Sequence, residues 1–147
     1  MFSSLSKTLV SCTRITLICL ALLAASAVAE SGKPCSNRTL NGDYGFVIEG
    51  TILGPNLSIR GLAMQHYDGK GNITQVDHLV TEGNASTGWA EGTGTYNVNP
   101  DCTGDAVINS PNNPFPVALH FVVANHGKEI KQVVDANAVV ATGIKVD

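Results

Sequence analysis

Ser58-Ile-Arg-Gly-Leu-Ala-Met-Gln-His-Tyr67-Asp68-Gly69-Lys70-Gly71-Asn72-Ile-Thr-Gln-Val-Asp-His-Leu-Val-Thr-Glu82 holds two strand-like runs, 58–67 and 72–82, either side of four turn residues. Gly69 and Gly71 supply the positive φ angles that a tight hairpin requires. Before it, Tyr44, Phe46, Ile48 and Ile52 fall on one face of a strand, and Gly54-Pro55-Asn56 breaks the chain. After it, Trp89–Val98 stops at Asn99-Pro100-Asp101, where proline suits a turn but not a central ladder. Runs 103–109, 116–124 and 128–134 follow, the last two separated by Asn125-His126-Gly127, and 138–146 closes the chain. About eight short strands separated by turns predict an all-β antiparallel meander, closed into a small barrel or folded as a β-sandwich. In 128–141, Ile130, Val133, Val134, Ala138 and Ala141 also fit a helical stripe, but the β-branched content favours strand. Residues 30–41 are polar and turn-rich and read as an extended lead-in pinned by Cys35, ahead of a single β domain over 42–147.

Residues 1–29 read as a secretory signal peptide. Lys7 and Arg14 precede the apolar run Ile15–Ala25, and Ala27-Val28-Ala29 supplies a small-residue cleavage pattern. That run falls short of the roughly 20 residues a membrane span needs, and no later stretch could span. Cleavage after Ala29 leaves 118 residues, a normal length for one domain, with seven basic residues against twelve acidic ones, a net charge of −5. No basic patch exists for nucleic acid or an anionic membrane. Cys12 and Cys19 leave with the signal; Cys35 and Cys102 remain, and a secreted or periplasmic setting favours their disulfide. The rival, a reactive or metal-bound thiol pair, lacks close ligand spacing and nearby histidines.

Three segments carry a resemblance: Cys35-Ser-Asn-Arg-Thr-Leu40-Asn-Gly42-Asp-Tyr44-Gly-Phe46, Asp68-Gly-Lys-Gly71-Asn72-Ile-Thr74, and Gly94-Thr-Tyr96-Asn-Val98-Asn-Pro-Asp101-Cys102-Thr-Gly104. Together they resemble a group of small secreted bacterial β proteins without an assigned function. The resemblance covers most of the mature chain and implies a secreted β protein, with no activity to carry over. Gly42-Asp43-Tyr44 also resembles the Gly-x-aromatic opening of calycin-type barrels, with tyrosine where those carry tryptophan. The sequons at Asn37, Asn56, Asn72 and Asn84 are incidental if the bacterial resemblance holds.

Catalytic chemistry finds little purchase. His66 and His78 lie on the two arms of one hairpin, and at about 3.3 Å per residue they fall roughly 13 Å or more apart, too far to share a metal. His120 alternates with Leu119 and Phe121 and faces outward, and His126 sits in a turn. Asp77 and His78 are neighbours on a strand and point to opposite faces. The carboxylates Glu49, Asp77, Glu82 and Glu91 are spread over three strands, and there is no Gly-x-Ser-x-Gly elbow. No metal site and no cofactor are expected.

The aromatic set remains. Tyr44, Phe46, Tyr96 and Phe121 alternate with small residues such as Gly50, Gly92 and Gly94, as in the tapering interior of a small barrel. One reading makes them core. The other has the polar tips of Tyr44, Tyr67, Tyr96 and Gln65 lining one end of a cavity, with Phe46 and Phe121, and orienting a small apolar ligand. The function expected is therefore a secreted, non-enzymatic binding or interaction module for such a ligand or for a protein partner. The alternatives are a barrel-type cyclase or isomerase acting on a hydrophobic substrate, and a secreted inhibitor or envelope-associated structural domain.

Overall fold

A computed structural model describes residues 32–81, 84–85, 88–111 and 113–147. The stretch read as a signal peptide lies outside the described residues, as does Glu82. Pro34–Asp147 forms one compact unit, which takes in the lead-in from Pro34 onward. Its strands are β1 (Asn41–Ile52), β2 (Leu57–Asp68), β3 (Asn72–Thr81), the two-residue β4 (Asn84–Ala85), β5 (Ala90–Val98), β6 (Thr103–Asn109), β7 (Val117–Ala124), β8 (Glu129–Val134) and β9 (Ala138–Lys145). Helical structure among the described residues is confined to the 3-10 turns Asn37–Thr39 and Asn125–Gly127. The ambiguous segment 128–141 is the β8–β9 hairpin, with Val133 paired to Val140.

Every pairing is antiparallel. Each long strand pairs with the next, β3 pairs with β5, and β9 returns to β1 through Tyr44↔Lys145 to Thr51↔Ala138, while β4 is a short flap on β3. The result is a closed eight-stranded barrel, so the sandwich alternative falls away. Followed round one circuit, the registers slip by about ten residues, the stagger that closing tilted strands requires.

The β2–β3 hairpin turns where the glycines demand it: Gly69 has φ +72° and Gly71 φ +115°. The Asp68 carboxylate fastens the turn, accepting from the Asn72 side-chain amide at 2.6 Å and from the backbone N–H groups of Asn72, Lys70 and Gly71 at 2.9, 2.7 and 3.0 Å, and these bonds, the Asn72 side chain's foremost, hold its pKa down at about 2.

Alternation along the strands sends one residue in two to the interior. Aromatic rings pack there over residues that have no side chain: Phe46 is paired with Gly143 and Phe121 with Gly104, and a Cβ added at either glycine would run into the facing ring. Three tyrosines stack edge to face at one end, Tyr44 with Tyr67 at 5.3 Å and Tyr67 with Tyr96 at 5.0 Å between centroids, contacts worth about 0.5–1.5 kcal/mol each beyond the area they bury. The lead-in closes this end. Leu40 is fully buried beneath it, Asn37 Oδ1 accepts from Val98 N–H at 2.7 Å, and Cys35 is bonded to Cys102 with the Cα atoms 5.0 Å apart.

Two stability predictions follow from this packing. Gly104→Ala and Gly143→Ala, each forcing a phenylalanine ring aside, should each lose about 1–3 kcal/mol in urea denaturation; unchanged midpoints would contradict the close approach. Replacing Cys35 and Cys102 together by serine should cost about 2–5 kcal/mol by the same measurement, and a variant as stable as the parent would show that the bond does not hold the lead-in down.

Candidate functional site

The two ends of the barrel differ. At the lead-in end, Leu40, Tyr44, Tyr67, Ile73 and Ile130 are at most 1% exposed. At the other end, the inward-facing Ile48, Gln75 and Leu79 are only half-buried. Exposed Leu53 and Phe115 lie in the chain close to strand ends on that side, while the exposed ring of Trp89 lies against the outward-facing His78, 5.9 Å between centroids.

Between the ends runs a chain of polar side chains, all on inward positions of β2 and β3. The Tyr67 hydroxyl donates to Gln65 Oε1 at 2.8 Å, Gln65 Nε2 donates to Gln75 Oε1 at 2.9 Å, and Gln75 Nε2 donates to Asp77 Oδ2 at 2.7 Å. The registers explain the contacts: Gln65 faces Gln75 across the β2–β3 ladder, and Gln75 and Asp77 are successive inward residues of β3. Gln75 lies over Gly92 of β5, whose missing side chain leaves the room. Every donor points towards Asp77, so the chain ends on a carboxylate near the mouth. Burial pushes the Asp77 pKa up from its ordinary 3.8, against the smaller opposing effects of the Gln75 bond and of His78. On β8, inward between Phe121 and Ala141, Gln132 is 8% exposed and its Oε1 is buried without a hydrogen-bond partner. The stagger of the strands brings it to about the level of Gln65 along the barrel axis.

Each of the six side chains expected to line a ligand cavity is buried: Tyr44, Phe46, Gln65, Tyr67, Tyr96 and Phe121. They divide into two groups. Tyr44 donates to the Gly127 carbonyl, and the Tyr96 hydroxyl shares its proton between the carbonyls of Asn37 and Leu40, each 3.0 Å away, so these tips hold the closed end together. Burial pushes Tyr44 up, and Tyr96 up to about 12. Tyr67 is raised further by burial and by its two tyrosine neighbours, and with Gln65 it begins the chain that leads to Asp77. Phe46 and Phe121 pack over their glycines.

Gln75, Asp77 and Gln132 were not among the residues expected to meet a ligand. Parity could have found them, since the inward Ile73 lies two positions before Gln75 and four before Asp77, and the inward Ile130 two before Gln132. Of the other carboxylates considered, Glu49 and Glu91 are exposed on the outer face. His66 pairs with Thr74 across the hairpin and lies 2.8 Å from exposed Asp43; His120 lies 2.8 Å from Asp135, which raises its pKa by hydrogen bond and charge; His78 contacts Gly88 O at 3.1 Å. Among the described residues no three of His, Cys, Asp or Glu converge as a metal site would need. No helix among them is long and apolar enough to cross a membrane.

No protein-family model, curated protein or solved structure matches this chain.

Because the folded state holds the Asp77 proton more tightly than the unfolded chain does, the native protein gains from Asp77 only when it is protonated. Stability from this residue is present below the ordinary value of 3.8 and is lost as pH rises through the raised one. Asp77→Asn should therefore match the parent near pH 3 and become progressively more stable than it towards pH 7, as read by urea denaturation at both pH values. A gap that stays constant with pH would contradict the assignment.

Proposed function

We propose that the protein is an exported, non-enzymatic binding module that holds a small, mostly apolar ligand inside its barrel, reached from the mouth opposite the disulfide. The observation that carries this reading is the polar chain Gln65–Gln75–Asp77, with the unpartnered Gln132 oxygen, inside an otherwise apolar barrel. Buried polar groups weaken a fold unless they are satisfied, and a few of them in a concave apolar setting are what orients a ligand. Half-buried Ile48 and Leu79 give an apolar wall near the mouth. Export is supported by the signal-like residues 1–29, by the Cys35–Cys102 bond and by the resemblance to small secreted bacterial β proteins.

A second reading, a barrel-type isomerase or cyclase, is favoured by one feature: Asp77, raised by burial, is placed to hand a proton to an apolar substrate. Turnover lost in Asp77→Asn would select it.

The binding reading is tested with Nile red, a neutral dye that brightens in apolar surroundings. The purified, disulfide-bonded protein should bind it at about one equivalent, and Ile48→Trp, which narrows the mouth, should weaken binding by about tenfold with unchanged circular dichroism. Dye binding that Ile48→Trp leaves untouched would place the dye on the outer face and overturn the proposal.

A further inference from the structure

Resting on the binding reading above, we infer that the ligand is a protonated amine on an apolar body, its ammonium group seated at the Asp77 carboxylate and its far end directed towards Gln132. Three observations meet on this. First, the interior hydrogen bonds run in one direction, from the Tyr67 hydroxyl through Gln65 and Gln75 to Asp77, so the chain terminates on an acceptor and not on a donor. Second, the buried side-chain atom left without a partner among the described residues is also an acceptor, Gln132 Oε1, on a side chain more than nine-tenths buried. Third, every described lysine and arginine is exposed, and His78, beside Asp77 in sequence, is turned to Gly88 O. Among the described residues the chain thus brings a carboxylate inside its barrel and directs no lysine or arginine to it.

A carboxylate in such a place needs a counter-charge or a proton. A ligand cation supplies the first, through charge-assisted N–H···O bonds of the stronger kind. The surroundings suit an apolar body: Phe46 and Ala63, both buried, and Ala90 share the register row of Asp77. A carboxylate-bearing ligand would meet like charge at Asp77 and an unanswered acceptor at Gln132, and is excluded by the same arrangement.

The test compares 4-(2-aminoethyl)phenol with 2-(4-hydroxyphenyl)ethanol, which differ only in ammonium against hydroxyl, by calorimetric titration of the full disulfide-bonded protein at neutral pH. The amine should bind about tenfold tighter or better. Asp77→Asn, nearly the same shape, should bring the two compounds to equal affinity while its circular dichroism matches the parent's, which shows that the barrel is folded. Equal binding of the two compounds by the parent, or a preference that survives Asp77→Asn, overturns the amine inference and leaves the binding reading standing. Binding of Nile red but of neither compound also overturns the amine inference alone. Failure to bind the dye and both compounds overturns the two readings together.

Discussion

The pairing of β9 with β1 is the constraint from which the rest of this structure follows. Once that ladder closes, each of the eight long strands has a neighbour on both sides, and among the described residues no long sheet edge remains to satisfy by other means. Closure also sets the interior volume, because strand number and stagger together determine the radius. Side chains must then fit a space they cannot enlarge. The chain meets this with Gly104 and Gly143 under the rings of Phe121 and Phe46, and with Ala63, Ala106 and Ala141 elsewhere on inward positions.

A closed ring still has two open ends, and here they are treated differently. One is sealed by covalent and hydrogen-bonded ties. Cys35–Cys102 fastens the lead-in, Cys35 N–H donates to Pro100 O at 3.1 Å, and the hydroxyls of Tyr44 and Tyr96 bind carbonyls of the β7–β8 turn and the lead-in. Burial at the seal raises the pKa of the tyrosines there. The opposite end keeps Ile48, Gln75 and Leu79 partly within reach of solvent. The two ends of the barrel are thus built differently, one tied shut by the lead-in and the other lined by half-buried side chains.

The cost of the arrangement falls on Asp77. A carboxylate among Phe46, Ala63 and Ala90 disfavours the folded state at neutral pH, and Gln75 offsets only part of that with one hydrogen bond. An apolar residue there would serve the core better. The amides of Gln65 and Gln75 are aligned towards that acid, so the interior polar groups form one hydrogen-bonded line.

Much of this was legible in the sequence because it is local. Gly69 and Gly71 need positive φ wherever they sit in a turn, period-two alternation sends Tyr44, Phe46 and Ile48 to one face, and two cysteines beyond a signal-like leader leave one pairing. The eight long strands therefore lie close to where the pattern put them, and His66 faces Thr74 as hairpin spacing allows. Parity also says that Gln75, Asp77 and Gln132 point inward. It says nothing about what they meet there, because inward partners come from strands distant in the chain and their levels depend on the stagger of the whole ring. Closure against a sandwich, the use of Tyr44 and Tyr96 as bolts on the sealed end, and the convergence of Gln65, Gln75 and Asp77 towards the opposite end were decided only when β9 met β1, since that contact alone fixes radius and level for all eight strands.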